Sequence, residues 1–165
     1  MNPEPKTKRK KFSLARKDEA MDELVRGTDK KILAAWAIDC AERVLPYFTE
    51  KYPDDPRPRQ ALDALRAWIA TGVFRMAVIR GASLASHAAA REVGEDSPAR
   101  SAARAAGQAV ATAHVPTHSL GAAIYARQAV WRATSSPGAD AAVAKERDWQ
   151  YHHLLALREN SVPDI

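Results

Sequence analysis

The stretch SPARSAARAAGQAVATAHV, residues 97 to 115, constrains the fold more than any other part of the chain. Alanine is the best helix former, and its side chain is too short to cover the face of a sheet. Ser97 followed by Pro98 supplies an N-cap and a first-turn proline, so the stretch predicts a helix opening there. A helix with so few large side chains buries little area per residue, and it contributes to a fold where a neighbouring backbone comes close. Gly107, Ala111, His114, His118 and Gly121 fall near one face and mark the expected close approach.

The rest of the chain repeats the helical period. DEAMDELVR, residues 18–26, ends at Gly27, and Thr28 then offers a cap with Asp29 in the first turn. In the next helix Leu33, Ala37, Cys40, Val44 and Phe48 form an apolar stripe, and Pro46 predicts a kink or break. The proline-rich YPDDPRPR is a loop, followed by a helix from Pro58 with Ala61, Leu62, Leu65, Trp68 and Ile69 inward and Gly72 as its C-cap. Further helices are expected at about 74–93, 97–115, from Leu120 to the SSPG at 135–138, and 139–159, with Pro116 bending or splitting the path. No stretch alternates apolar and polar residues as a strand would. The expected fold is all-α, a single-domain bundle of six or seven helices with alanine-rich close packing.

A chain of 165 residues can bury roughly 70% of its unfolded surface in one domain. Cys40 is the lone cysteine, which rules out an internal disulfide and fits a reducing compartment. No apolar run reaches the roughly 20 residues of a bilayer span, so a cytoplasmic protein without membrane contact is expected. Residues 1–17 hold seven Lys/Arg against one acid, whereas the other 148 residues hold 18 bases and 19 acids. The basicity belongs to a tail. We divide the chain into a basic flexible tail at 1–17, a helical domain at 18–160 and a C-terminal tail at 161–165; the first tail suits weak, nonspecific, salt-dependent binding of nucleic acid.

Several polar groups invite chemistry. His114 and His118 stand at i, i+4, a spacing that would put them on one side of an unbroken helix as a metal pair. Val115, however, stands where a zinc-protease signature needs Glu, and the bland alternative is a histidine pair making hydrogen bonds across helices. His87, and one of the adjacent His152 and His153, could join them if the helices converge. Asp39 and Arg43 have the acid-before-base order of a helical ion pair. Arg57 and Arg59, at a helix start where a cation gains nothing from the helix dipole, call for a carboxylate within the fold or on another protein. Trp131 and Trp149 are candidate anchors for a partner. No phosphate loop, nucleophile elbow or motif-placed cysteine is present, and no catalytic residue, metal site or cofactor is assigned.

The segments WAIDCAERVLPYF, DPRPRQAL, ASHAAARE, ATAHVPTHSLGAAIYA and ERDWQYHH together resemble the immunity proteins of bacterial polymorphic-toxin systems, over about residues 28–158. The matching pattern comprises Trp36, Asp39, Cys40, Arg43, Arg57, Arg59, His87, His114, His118, Trp149 and Gln150. The resemblance implies a small cytoplasmic helical protein that binds and neutralises a cognate protein toxin without turnover. It supplies no catalytic residues. Two other classes stay open: an enzyme or metal protein built on His87, His114, His118 and one of His152 or His153, with Asp39 as a candidate acid, and a nucleic-acid-binding domain using the tail. An alanine-rich face could equally be buried in a homodimer.

Overall fold

The computed structural model describes residues 11–15 and 17–161, so most of the basic tail and the last four residues lie outside the described part. The described residues form eight helices and no strand: α1 (Glu19–Arg26), α2 (Lys30–Val44), α3 (Pro46–Thr49), α4 (Arg57–Thr71), α5 (Met76–Arg91), α6 (Pro98–Ala111), α7 (His118–Ala133) and α8 (Ala139–Asn160). The all-α bundle is as expected from the sequence. The count exceeds six or seven because Pro46 separates a full break, with the one-turn α3 beyond it, from α2.

Side-chain caps start three of these helices. Asp18 accepts a hydrogen bond from the Met21 amide of α1, and Ser97 accepts one from the Arg100 amide of α6. At α2 the cap is Asp29, which accepts from the Lys31 amide; Thr28, the expected cap, instead donates its hydroxyl to the Leu24 carbonyl at the end of α1. α4 opens at Arg57 with Pro58 in its first turn and closes on Gly72, whose φ of 69° is left-handed.

α6 is the hub: it packs against α2, α3, α4, α5 and α7. Only small side chains permit so many neighbours, and Ala99, Ala102, Ala103, Ala105, Ala106, Gly107 and Ala109 are all buried. A Cβ on Gly107 would lie 2.8 Å from His87 Nε2 of α5, and one on Gly121 of α7 would lie 2.6 Å from Gln108 Oε1 of α6. The two glycines thus mark where α5 and α6 seat polar side chains against the bare backbone of α6 and α7, respectively. This core continues through Ile38, Leu45, Phe48, Leu62, Leu65 and Trp68, as the stripes on α2 and α4 require.

A second core joins α1, α2, α7 and α8 around Met21, Leu33, Trp36, Cys40 and Leu154. Trp36 is fully buried, and its indole donates to the Gln150 carbonyl at 2.8 Å while the Gln150 amide donates to the Ala123 carbonyl at 2.9 Å. Burial pushes the Cys40 thiol well above its ordinary pKa, which makes it a core residue with little thiolate. α5 is different. It packs chiefly on α4 and α6, and among the described residues its opposite face is exposed.

Candidate functional site

The polar residues fall into three groups. In the first, Asp39 and Arg43 do not pair along α2; each reaches across to α8. Arg43 Nε and Nη2 donate to the two carboxylate oxygens of Glu146 at 2.6 and 2.9 Å, and Asp39 Oδ2 lies 2.7 Å from His153 Nε2. Between these contacts the Arg43 guanidinium stands 3.8 Å from the Trp149 ring centroid, and the His153 ring stacks on Trp149 at 4.6 Å. The α2 spacing of four matches the α8 spacing of seven because the rows run antiparallel and converge on Trp149. Glu146 is buried, so two charge-assisted bonds compensate its desolvation. This arrangement clasps α8 to α2. Trp149 is thereby sandwiched, His152 points elsewhere with its edge on Tyr151, and His153 is the member of the adjacent pair that joins the cluster.

The second group is the histidine corner of α5, α6 and α7. Pro116 interrupts the helix so that α6 ends at Ala111 and α7 starts at His118; His114 lies in the turn between them. The two histidines therefore do not project from one helix. His118 Nδ1 lies 2.8 Å from Gln108 Oε1, whereas exposed His114 stacks on Phe74 with ring centroids 6.1 Å apart. His87 covers Gly107, with its Nδ1 3.4 Å from Arg104 Nη1. Burial first, then Arg104, Arg91 and His118, push the His87 imidazole down to about 4; burial, then His114, lower His118 as well. Among the described residues, no three His, Cys, Asp or Glu side chains come together as metal ligands.

The third group holds the arginines of α4. Arg57 donates to Asp55 at 2.7 and 2.9 Å and to both carboxylate oxygens of Glu92, and so ties the 52–56 loop to the end of α5. Arg59 lies 3.3 Å from Glu42, which also pairs with Arg66. The carboxylate partners these residues call for are inside the fold. Trp131 is half-buried, with Phe12 6.3 Å away, so the described end of the N-terminal segment packs on it.

Most of these residues lie away from the main exposed apolar surface among the described residues, which His114 borders through its stacking on Phe74. Val73, Phe74, Met76, Val78 and Leu84 are 41–57% exposed, five of the eight large exposed hydrophobics among the described residues. Along α5 the outward face holds Ala77, Arg80, Gly81, Leu84, Ala88 and Arg91, and a Cβ added at Gly81 would meet nothing within 4 Å. A concentration of exposed apolar side chains on one helix and the turn before it is a candidate interaction surface. It is also basic: from Gly72 to Arg91 the chain has Arg75, Arg80 and Arg91 and no acid. The sequence signal was present in VFRMAVIRGASL, whose apolar residues fall on both sides of the helix where one side suffices for packing.

The sequence model of a family described as "Imm-5 like putative immunity protein" matches residues 23–157. No curated protein and no solved structure matches the chain. Among the described residues, no helix is long and apolar enough to cross a membrane.

Proposed function

We propose, from the premise that this chain belongs to the Imm-5 like immunity protein family, that it binds a cognate protein toxin in the cytoplasm and neutralises it by stoichiometric association. The observation that carries this reading is the exposed α5 face with the turn before it. Among the described residues, Val73, Phe74, Met76, Val78 and Leu84 stand exposed there. Burying such side chains yields about 25 cal/mol per Å² of apolar area, enough to drive association once a partner of matching shape is present. Arg75, Arg80 and Arg91 on the same segment favour a partner surface rich in carboxylates and disfavour basic competitors.

This assignment gives the motif residues a different task. Trp36, Asp39, Arg43, Trp149 and Gln150 clasp α8 to α2, and Arg57 and Arg59 fix α4, so they hold the shape that presents α5. The test is capture from a lysate of the source cells with the full chain and with Leu84→Glu, followed by expression of the captured protein with and without the chain. The expected result is a captured protein that is toxic alone, is tolerated with the wild-type chain, and escapes Leu84→Glu. Capture and protection that survive a charge at position 84 would refute the assignment of the face.

A further inference from the structure

A cleft of about 500 Å³ runs between α6 and α7, and its wall is completed by the segment around Phe12. Lys11, Arg100, Arg104 and Arg132 line it with Tyr125 and Trp131, against two exposed carboxylates, Glu95 and Asp96, from the loop before α6. Three guanidinium groups in one cleft repel one another unless anions lie between them. Between Ser97 and Ala139 the chain has four arginines and no acid, so these helices supply no such anion.

The charge is compensated only in part. Arg132 has only 16% of its side chain exposed; its Nη1 donates to Ser101 Oγ at 2.9 Å and approaches the Ser97 carbonyl at 3.5 Å. Its one carboxylate neighbour among the described residues is Asp96, at 4.0 Å and almost fully exposed. Arg100 Nη2 donates to the carbonyls of Arg91 and Val93 at the end of α5, while its shielded Nε has no hydrogen-bond partner. Among the described residues, the hydrogen-bond partner of Arg104 is a ring nitrogen of His87, 3.4 Å from its Nη1.

We propose that this cleft is a binding site for an oxyanion, a phosphate or carboxylate group, whose attached apolar part rests on Trp131 and Tyr125. Guanidinium groups bind such oxygens in pairs, and a partly desolvated site strengthens each bond. The group arrives either on a free multivalent anion or on an acidic segment of another protein. The site does not depend on the α5 surface being the toxin contact.

The test follows the arginine side-chain NH signals of the full chain by NMR. Three titrants are used: inorganic phosphate, a hexapeptide of alternating glutamate and leucine, and sodium chloride at matched ionic strength. Saturable shifts with phosphate identify a free anion as sufficient; saturable shifts with the peptide alone identify a carboxylate-bearing segment. In either case Arg132→Gln and Arg104→Gln should weaken binding by about tenfold. Arg104 has no carbonyl or hydroxyl partner among the described residues, so its variant reports on the cleft even if Arg132→Gln disturbs packing. Shifts that chloride reproduces, no saturation with either titrant, or binding unchanged in Arg104→Gln would overturn the proposal.

Discussion

Lowering the pH from 7.5 to 4.5 should destabilise the protein through His87, and the size of the loss follows from the ring's surroundings. The imidazole lies on the Gly107 backbone, and the charged groups that act on it are Arg104 of α6, Arg91 of its own helix and His118 of α7, with no carboxylate among them. Its pKa therefore falls from 6.5 to about 4. The unfolded chain takes up a proton near 6.5, and the folded chain resists it until about 4, so between these values the unfolded state binds more protons. The stabilisation is complete above about pH 7 and is lost as the pH falls through this window.

At about 1.4 kcal/mol per pKa unit the ceiling is about 3 kcal/mol, and because the ring is only partly buried, water screening reduces the expected loss to about 1–2 kcal/mol. Urea unfolding at the two pH values, with wild type and His87→Gln, measures it. The wild type should lose the larger amount. His118, which is lowered in the same direction, accounts for a smaller loss that persists in the variant. The paired carboxylates Asp18 and Asp55, held below their ordinary values by Arg147 and Arg57, lose their contribution only under more acid conditions. Equal losses in wild type and variant, or a gain on acidification, would refute the reasoning.

Other outcomes follow from the packing. Gly121→Ala drives a Cβ into the far end of the flexible Gln108 side chain, which must swing away and give up its contact with His118; the loss of about 0.5–1.5 kcal/mol offsets the helix-propensity gain of about 1 kcal/mol, and the thermal midpoint should move by no more than a few degrees. Glu146→Gln should cost about 1–3 kcal/mol in urea unfolding, reduced from a fully buried pair because Arg43 is 41% exposed, and Glu146→Leu with Arg43→Met should recover part of it. Trp36→Phe removes the indole bond to the Gln150 carbonyl and should cost about 1–2 kcal/mol by the same measurement. Leu84→Glu should leave stability within about 0.5 kcal/mol, since the side chain is already in water.

The helical class and the buried stripes were legible because period and proline placement are local. Leu33, Ala37, Cys40, Val44 and Phe48 are all buried as their spacing requires, and Pro46 and Pro116 interrupt helices where their missing amides dictate. What the sequence could not disclose was pairing across helices. Asp39 and Arg43 have ideal spacing for each other, yet α8 offers Arg43 a buried carboxylate with two-point geometry, and that bond wins over an exposed pair. The choice between His152 and His153 likewise depends on how α8 rotates against α2. The α5 face was legible only in part: VFRMAVIRGASL is apolar on both sides of a helix, but which side stays in solvent depends on its neighbours in space.

The most direct test of the account is the affinity of the captured toxin for the full chain, measured by calorimetry for wild type, for Val78→Glu with Leu84→Glu, and for Asp39→Asn. One-to-one binding that weakens by at least about a hundredfold in the α5 variant, and stays within about threefold of wild type in the α2 variant, is the predicted result. Binding that survives both charges on α5 would contradict the claim that this face is where the partner docks.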